Sequence, residues 1–160
     1  VLGLDAAAAP LRQARQRAAR RPWLPLEFRQ GDALDTGLVD GWADGAVMAY
    51  GLRNLADAAA GLRELRRLLR PGGRAAVLDF NRAADSESTT AVFQRFYLRR
   101  LVVPLARRAG LEAQYAYLED SIARFPSGDE QCRLARDAGF AQAHHRPLAA
   151  GQMGLLELLA

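Results

Sequence analysis

The sequence predicts an α/β fold, and three observations lead to this prediction. Short apolar runs alternate along the chain with longer helical patterns, which is typical of sheets whose strands are joined by helices. Two of these runs end at or beside an acid: VLGLD ends at Asp5, and RAAVLDF contains Asp79. A third run, GAVMA at 45–49, is apolar without alternation. This pattern predicts a strand that is covered on both faces.

The first third of the chain contains three predicted strands and one helix. Val1–Asp5 is a short apolar strand. Pro10–Arg20 is rich in Ala and Arg and lacks Gly, which predicts a helix. Glu27–Gln30 is a strand that ends at the turn-forming Gly31, and Gly45–Ala49 is the next strand.

A strongly amphipathic helix follows. Five apolar residues recur at alternating spacings of three and four and therefore share one face: Leu55, Ala58, Leu62, Leu65 and Leu69. The charged residues between them, including Glu64, fall largely outside this stripe. Asp57 is the preferred N-cap, with Asn54 as the alternative. Pro71-Gly72-Gly73 is expected to end the helix, and Arg74–Phe80 is expected to form the following strand.

The remaining predicted elements are a helical, aromatic-rich segment, a shorter helix and two closing strands. In order, they are Thr90 to about Arg124 with a kink at Pro104, Asp129–Ala138 closed by Gly139, Ala141–Leu148, the turn Ala149-Ala150-Gly151, and Met153–Leu159. We expect one domain over residues 1–160, with a helical lid insertion at about 88–126.

The composition is that of an ordinary globular protein and excludes several classes. Of the 160 residues, 50% are hydrophobic and 25% are charged. All 22 basic residues are Arg and are spread along the chain, so we expect no nucleic-acid binding. No apolar run approaches the roughly 20 residues of a membrane span, and no signal peptide is evident. Cys132 is the single cysteine, which fits a reducing cytoplasm.

Polar residues follow three of the predicted strands. They are Asp5, Asp32 and the stretch YGLRN, residues 50–54. Ligands of open α/β sheets bind outside the carboxyl ends of the strands, so these positions are candidates for a binding site. The alternative is that Asp5 and Asp32 are turn or N-cap residues, and both interpretations stay open for each aspartate.

Five runs, taken in order, carry a resemblance to a known family. They are PWLPLEFRQGDAL, YGLRNLAD, LRPGGRAAVLDFNR, FQRFYLRRLVVP and YAYLEDSIARFP. The chain resembles the quinone-pathway C-methyltransferases of the ubiquinone/menaquinone type over essentially its whole length. It is most similar to the branch that methylates a demethylnaphthoquinone in phylloquinone or menaquinone biosynthesis. The resemblance implies a class I, Rossmann-like methyltransferase sheet, S-adenosylmethionine as cofactor and a prenylated naphthoquinol as substrate.

The resemblance also implies which residues bind the cofactor. Asp5 matches the acid that binds the ribose hydroxyls, because a carboxylate accepts two hydrogen bonds from vicinal hydroxyls. Asp32 and Ala33 match the pair that contacts adenine. Ala49 and Tyr50 match the segment beneath the methionine end of the cofactor.

The resemblance implies that Arg53 and Asn54 lie where the sulfonium methyl meets the quinol ring, and Tyr97 is a further candidate catalytic residue. Arg53 is expected to hold a quinol oxyanion, since a guanidinium stays charged and donates two parallel hydrogen bonds. The alternative is a buried Arg53 that pairs with Asp79 or another acid. The general base stays open among water near Arg53 and four side chains: Tyr97, Tyr117, Glu119 and His145.

No metal site is expected. His144 and His145 are adjacent on a predicted strand, so their side chains point to opposite faces and do not readily share one metal ion. Both are interpreted as ordinary surface or edge-strand residues.

The segment Ala91–Gly110 contains five arginines and no acid. Its aromatic residues and a leucine fall on one helical face: Phe93, Phe96, Tyr97 and Leu101. A basic amphipathic helix can lie on an anionic membrane surface, which suits a substrate with a long isoprenoid tail. The alternative is a lid helix with a solvated basic face. We therefore expect a cytoplasmic protein with peripheral membrane contact, and homo-oligomer formation stays open.

Against the family pattern, the first strand and its glycine-rich loop are expected to be lacking, since no G-x-G-x-G occurs. The chain is then a fragment of a working enzyme, the preferred interpretation, or is completed by a partner, or is an inactive relative. A non-catalytic methyltransferase-like binding subunit is the first alternative function. A nicotinamide-dependent Rossmann oxidoreductase is the second, because such enzymes also place an acid after their second strand.

Overall fold

A computed structural model of the chain describes residues 1–82 and 121–160. Its elements are β1 (Leu2–Asp5), α1 (Ala8–Ala18), β2 (Glu27–Gln30), β3 (Ala43–Ala49), a 3-10 helix (Leu52–Asn54), α2 (Ala58–Leu68), β4 (Leu69–Phe80), α3 (Gly128–Asp137), β5 (Gln142–Leu148) and β6 (Met153–Leu159). The chain divides into two compact units, Val1–Val39 and Asp40–Ala160. The single domain over 1–160 stays a prediction, and most of the insertion at about 88–126 lies outside the described residues.

The first unit is a parallel pair of strands with one helix. β1 and β2 pair in parallel from Leu2 opposite Glu27 to Asp5 opposite Gln30. Leu11 is the buried residue of α1, and Arg15 donates from Nη2 to the carbonyl oxygen of Phe28 at 2.8 Å. The helix is therefore attached to β2 by a hydrogen bond as well as by apolar contact.

The second unit is a mixed sheet of four strands in the order β3-β4-β6-β5. β3 and β4 are parallel, whereas β6 is antiparallel to both β4 and β5. Ala149, Ala150 and Gly151 connect β5 to β6, and all have positive φ. The closing pair of strands and its turn are thus confirmed, with β5 beginning one residue later than predicted.

The helices α2 and α3 cover one face of this sheet. A single apolar cluster joins them to the strands; its fully or nearly buried members include Leu62, Leu65, Val77, Cys132, Ala135, Leu156 and Leu158. Because burying a leucine side chain stabilises by about 1.5–3 kcal/mol, this cluster is the main apolar contribution to the folding of the unit.

The amphipathic helix is confirmed, but it is shorter than its apolar stripe. Asp57 is the N-cap, and its carboxylate accepts a hydrogen bond from the backbone N–H of Ala60 at 3.0 Å. The helix ends at Leu68 and β4 begins at the next residue, so Pro71-Gly72-Gly73 lies inside the strand. There the register shifts, with Ala43 opposite Leu69 and Gly45 opposite Arg74. Pro71-Gly72-Gly73 therefore lies in a bulge of β4 instead of ending the helix, because pairing with β3 already starts at Leu69.

Burial corrects two expectations drawn from the sequence pattern. Glu64 is buried, and it accepts two hydrogen bonds of 2.7 Å from Arg67. Paired to an arginine, a carboxylate can be buried within an apolar face.

In β3 the burial alternates: Val47 is 89% exposed and Ala49 is exposed, whereas Ala46 and Met48 pack against the core. The prediction of a strand covered on both faces is therefore wrong for the described residues, because α2 and α3 pack on one face only.

The helix α3 begins with a complete capping box. The Ser127 hydroxyl accepts from the backbone N–H of Glu130, and the Glu130 carboxylate accepts from the backbone N–H of Ser127 at 2.7 Å. These hydrogen bonds, together with the nearby Arg82, hold the pKa of Glu130 below its ordinary value. In the part of the chain described by the structure, no helix is long and apolar enough to cross a membrane.

Candidate functional site

Two aspartates lie at the carboxyl end of the parallel pair in the first unit. Asp5 is the last residue of β1, and Asp32 follows β2 by two residues. Each carboxylate folds back on its own chain: Asp5 Oδ1 accepts from the N–H of Ala7, and Asp32 Oδ1 accepts from the N–H of Leu34, both at 2.8 Å. The turn interpretation is thus correct for one oxygen of each aspartate. Among the described residues the Oδ2 atoms accept no hydrogen bond, so each carboxylate retains an acceptor for a ligand.

The two aspartates share an edge because the strands that carry them are parallel and in register, with Asp5 opposite Gln30. Ala33 follows Asp32 and is half-buried. The side chain of Gln30 donates to the carbonyl oxygen of Ala6 at 2.9 Å, which ties the two strand ends together. The structure therefore brings together the three residues predicted to contact ribose and adenine.

The second group of polar residues lies at the carboxyl ends of β3 and β4 in the second unit. Ala49 ends β3 opposite Leu78 of β4, and Tyr50–Asn54 follows it. Phe80 ends β4 next to Asp79. Since β3 and β4 are parallel, both strands deliver their last residues to the same edge of the sheet.

Arg53 forms an ion pair with Asp79, as the alternative interpretation of the sequence proposed. Nη1 of Arg53 lies 2.9 Å from Oδ1 of Asp79, and the two side chains are 12% and 3% exposed. The backbone N–H of Arg53 also donates to Oδ2 of Asp79 at 3.2 Å. Nε of Arg53 is buried and has no hydrogen-bond partner among the described residues. The pair is thus a buried structural contact, and only a small part of the guanidinium reaches solvent.

Two side chains of the YGLRN stretch, those of Arg53 and Asn54, donate hydrogen bonds to the backbone of Tyr50. Its carbonyl oxygen accepts from Nη1 of Arg53 and from Nδ2 of Asn54, both at 2.8 Å, and its N–H donates to the carbonyl oxygen of Leu78 at 2.8 Å. Tyr50 has a φ of 57°, a left-handed conformation that is unfavourable for a residue with a bulky side chain. The surrounding hydrogen bonds hold it in that conformation.

Tyr50 is 42% exposed as a residue, and its side chain packs against Phe80. The ring centroids are 5.5 Å apart with the planes tilted by 47°. The guanidinium carbon of Arg53 lies 5.8 Å from the Tyr50 ring centroid and 5.3 Å from that of Phe80. The hydroxyl of Tyr50 contacts the sulfur of Met153 at 3.7 Å. The two packed rings, those of Tyr50 and Phe80, are called the aromatic pair below.

The structure thus places seven of the predicted residues at two strand edges and adds one that was not proposed for the site. Asp5, Asp32 and Ala33 lie in the first unit, and Ala49, Tyr50, Arg53 and Asn54 lie in the second. Phe80 was missed because a phenylalanine at the end of an apolar strand is typical of a core residue. The sequence signal that could have found it is its position at the end of the strand predicted over Arg74–Phe80. Tyr97, Tyr117 and Glu119 lie outside the described residues.

His145 is enclosed, unlike His144. A Cβ atom built on Gly128 or on Gly154 would overlap its imidazole, so the ring lies between the start of α3 and β6. Burial lowers the pKa of His145 below its ordinary value of 6.5, and the neighbouring His144 adds to this, whereas Asp129 opposes it. His144 is exposed on the opposite face of β5, as predicted. A role in packing therefore fits His145 better than one as a general base.

Replacing His145 by glutamine is expected to remove part of the pH dependence of stability. Because the folded pKa of His145 is depressed, its contribution to the free energy of unfolding is full above the unfolded pKa of about 6.5 and is lost as the pH falls below that value. Urea unfolding is measured between pH 5 and pH 8. The slope of the unfolding free energy against pH should be flatter for His145→Gln than for the wild type. The exposed control His144→Gln should retain the wild-type slope; equal slopes in all three proteins would contradict the prediction.

Among residues 1–82 and 121–160, no group of three or more His, Cys, Asp or Glu side chains is arranged to hold a metal ion.

Comparison with known proteins identifies relatives along nearly the whole chain. The model of the ubiE/COQ5 methyltransferase family matches residues 1–156. The 2-phytyl-1,4-naphthoquinone methyltransferase of Trichormus variabilis is 44% identical, with the match covering 98% of this chain and 68% of the relative. The chloroplastic enzyme of that type from Arabidopsis thaliana is 37% identical, covering 98% of this chain and 60% of the relative. The chain thus spans about two thirds of the length of these relatives.

A comparison of structures agrees on the fold. An S-adenosylmethionine-dependent methyltransferase from Aquifex aeolicus superimposes with a TM-score of 0.66 at 14% identity, covering 99% of this chain and 68% of the other. The fold is therefore the class I, Rossmann-like methyltransferase fold that the resemblance implied.

Proposed function

Because the chain belongs to the ubiE/COQ5 methyltransferase family, we propose that it transfers a methyl group from S-adenosylmethionine to a ring carbon of a demethylnaphthoquinol. The observation that carries this proposal is the identity of 44% to a relative named for methylation of a phytyl naphthoquinone. The reaction belongs to the biosynthesis of phylloquinone or menaquinone. Neither alternative function, a non-catalytic binding subunit or a nicotinamide-dependent oxidoreductase, is favoured by these relatives.

The first unit is suited to binding the nucleoside half of the cofactor. Oδ2 of Asp5 is available to accept from a ribose hydroxyl, and Oδ2 of Asp32 is available to accept from the adenine amino group. Their turns preorganise both carboxylates, because Oδ1 of each is already held by a backbone N–H at 2.8 Å. S-adenosylmethionine, when bound, supplies the electrophilic methyl group.

The task of the second unit is to bind and orient the quinol. Loss of one hydroxyl proton makes the adjacent ring carbon nucleophilic. A carbon–carbon bond to the methyl group would then form as the methyl–sulfur bond breaks, S-adenosylhomocysteine would be the leaving group, and loss of the proton from the ring carbon would restore the aromatic ring. We propose that Arg53 and Asn54 organise the edge at which this happens, and that Tyr97 contributes from the segment outside the described residues. Most of the rate acceleration should come from alignment of the reactants and from stabilisation of the phenolate.

Calorimetric titration of S-adenosylmethionine into the purified protein tests the cofactor site. We expect binding, and we expect Asp5→Ala and Asp32→Ala each to weaken it about tenfold or more, since a hydrogen bond to a charged group contributes roughly 1.5–3 kcal/mol. Asp35→Ala is the matched control, because Asp35 is an exposed aspartate of the same turn. Circular dichroism confirms that each variant is folded.

Product analysis then tests the reaction. Incubation with a reduced demethylnaphthoquinol under anaerobic conditions should give a ring-methylated product, detected by mass spectrometry. A folded protein that binds no S-adenosylmethionine would support the binding-subunit alternative. A protein that binds NADH instead would support the oxidoreductase.

We also propose a cytoplasmic location with peripheral membrane contact through Ala91–Gly110. This segment lies outside the described residues, and the proposal rests on its five arginines, its lack of acids and its aromatic face. A quinol with a long isoprenoid tail partitions into the bilayer, so an enzyme that docks on the anionic surface meets its substrate there.

A further inference from the structure

The polar side chains of Arg53 and Asn54 in YGLRN form hydrogen bonds with other groups of the protein. Nη1 of Arg53 is shared between Oδ1 of Asp79 and the carbonyl oxygen of Tyr50, at 2.9 and 2.8 Å. The side-chain amide of Asn54 donates to the same carbonyl oxygen. Both side chains therefore act on the backbone of one residue, and that residue is Tyr50.

Tyr50 is held in a conformation that its own side chain disfavours. Its φ is 57°, and at such a position glycine is the favoured residue. Two donors on its carbonyl oxygen and one acceptor for its N–H overcome this preference. Residues kept in strained backbone regions by surrounding contacts cluster at functional sites, where the strain fixes the direction of a side chain.

The consequence of this conformation is an exposed aromatic surface. Tyr50 as a whole residue is 42% exposed, and its ring lies against Phe80, at the carboxyl ends of two parallel strands where ligands of such sheets bind. Of Arg53, by contrast, only 12% of the side chain is exposed. At this strand edge the guanidinium of Arg53 is therefore mostly buried, whereas Tyr50 is an exposed residue.

We propose that the aromatic pair, Tyr50 and Phe80, is the surface on which the bicyclic ring of the quinol stacks, and that Arg53, Asn54 and Asp79 are positioning residues that act through Tyr50. The inference rests on the proposed function and deepens it. A flat, partly apolar ring gains by offset stacking against an aromatic side chain such as that of Tyr50. This assigns Tyr50 to substrate rather than to the methionine end of the cofactor.

Three variants separate stacking from folding. Tyr50→Gly removes the ring but accepts the positive φ, so relief of backbone strain offsets part of the packing that is lost with the ring, and circular dichroism confirms that the variant is folded. It should raise the KM for the quinol about tenfold, as expected for loss of one stacking contact. Its Kd for S-adenosylmethionine should change less than about twofold. Tyr50→Phe retains the ring and should keep the wild-type KM, and Tyr50→Asn, which also tolerates a positive φ, should behave like glycine.

Two outcomes would overturn the inference. The first is an unchanged KM for the quinol in Tyr50→Gly. The second is a rise in the Kd for S-adenosylmethionine that equals the rise in KM, which would place the cofactor on the ring.

A binding experiment without cofactor separates this inference from the proposed function. Naphthalenediol is titrated into the wild type and Tyr50→Gly under anaerobic conditions, with binding followed by ligand-observed NMR. Weaker binding by Tyr50→Gly in a protein that transfers no methyl group would support the inference and contradict the proposed function. Methyl transfer with an unchanged KM in that variant would do the reverse. Absence of both binding and transfer would contradict both.

Discussion

Replacing Asp79 by alanine is expected to lower the free energy of unfolding by about 3–5 kcal/mol. Asp79 is almost fully buried, and it accepts from both the guanidinium and the backbone N–H of Arg53. Its removal leaves the buried guanidinium without a carboxylate to balance its charge, and desolvation of such a charge is far more costly than loss of an exposed ion pair. Urea unfolding followed by circular dichroism measures the change.

Asp44→Ala is a closely matched control for this substitution. Asp44 forms an ion pair with Arg70 at 2.8 Å, nearly the same distance, but the two side chains are 80% and 62% exposed. We expect this change to cost less than about 1 kcal/mol. Equal destabilisation by the two alanine substitutions would show that burial of the Arg53–Asp79 pair is not the source of its effect.

Replacing Leu62 by alanine is expected to cost about 2–5 kcal/mol of unfolding free energy. Leu62 is 0% exposed and belongs to the apolar cluster that joins α2 and α3 to the sheet. The truncation removes buried methyl groups and leaves a cavity among side chains from several elements, which limits how far the site can collapse. The same urea experiment gives the change in midpoint.

Val47→Ala is the control for this second prediction. Val47 is 89% exposed on the uncovered face of β3, so its truncation should change stability by no more than about 0.5 kcal/mol. A large loss from Val47→Ala, or a negligible one from Leu62→Ala, would mean that the apolar cluster is not where the second unit is stabilised.

Local signals predicted most of the elements. The 3-4 spacing of apolar residues gave the buried face of α2, and Asp57 before an alanine-rich run gave its N-cap. The order of strands and helices, together with the acids at strand ends, predicted that the candidate residues lie at the carboxyl ends of the strands. These features depend on neighbours along the chain, which is why a sequence alone can reveal them.

Features set by distant contacts were missed or were left as alternatives. Burial of Glu64 depends on its pairing with Arg67 and on the packing around α2. The positive φ of Tyr50 could not be predicted from the sequence, because the residue is not a glycine. Hydrogen bonds from Arg53 and Asn54 stabilise this conformation. The β4 register shift at Pro71-Gly72-Gly73 depends on which residues of β3 pair with it.

The convergence of Arg53 and Asn54 on one carbonyl oxygen has a consequence for mutational studies of this family member. Residues that share a hydrogen-bond network have non-additive effects, so double-mutant cycles among positions 53, 54 and 79 should show strong epistasis. A rate loss in an Arg53 variant therefore does not identify a group that touches the reacting atoms. Only the part of the loss that persists when Tyr50 is already replaced by glycine belongs to Arg53 itself.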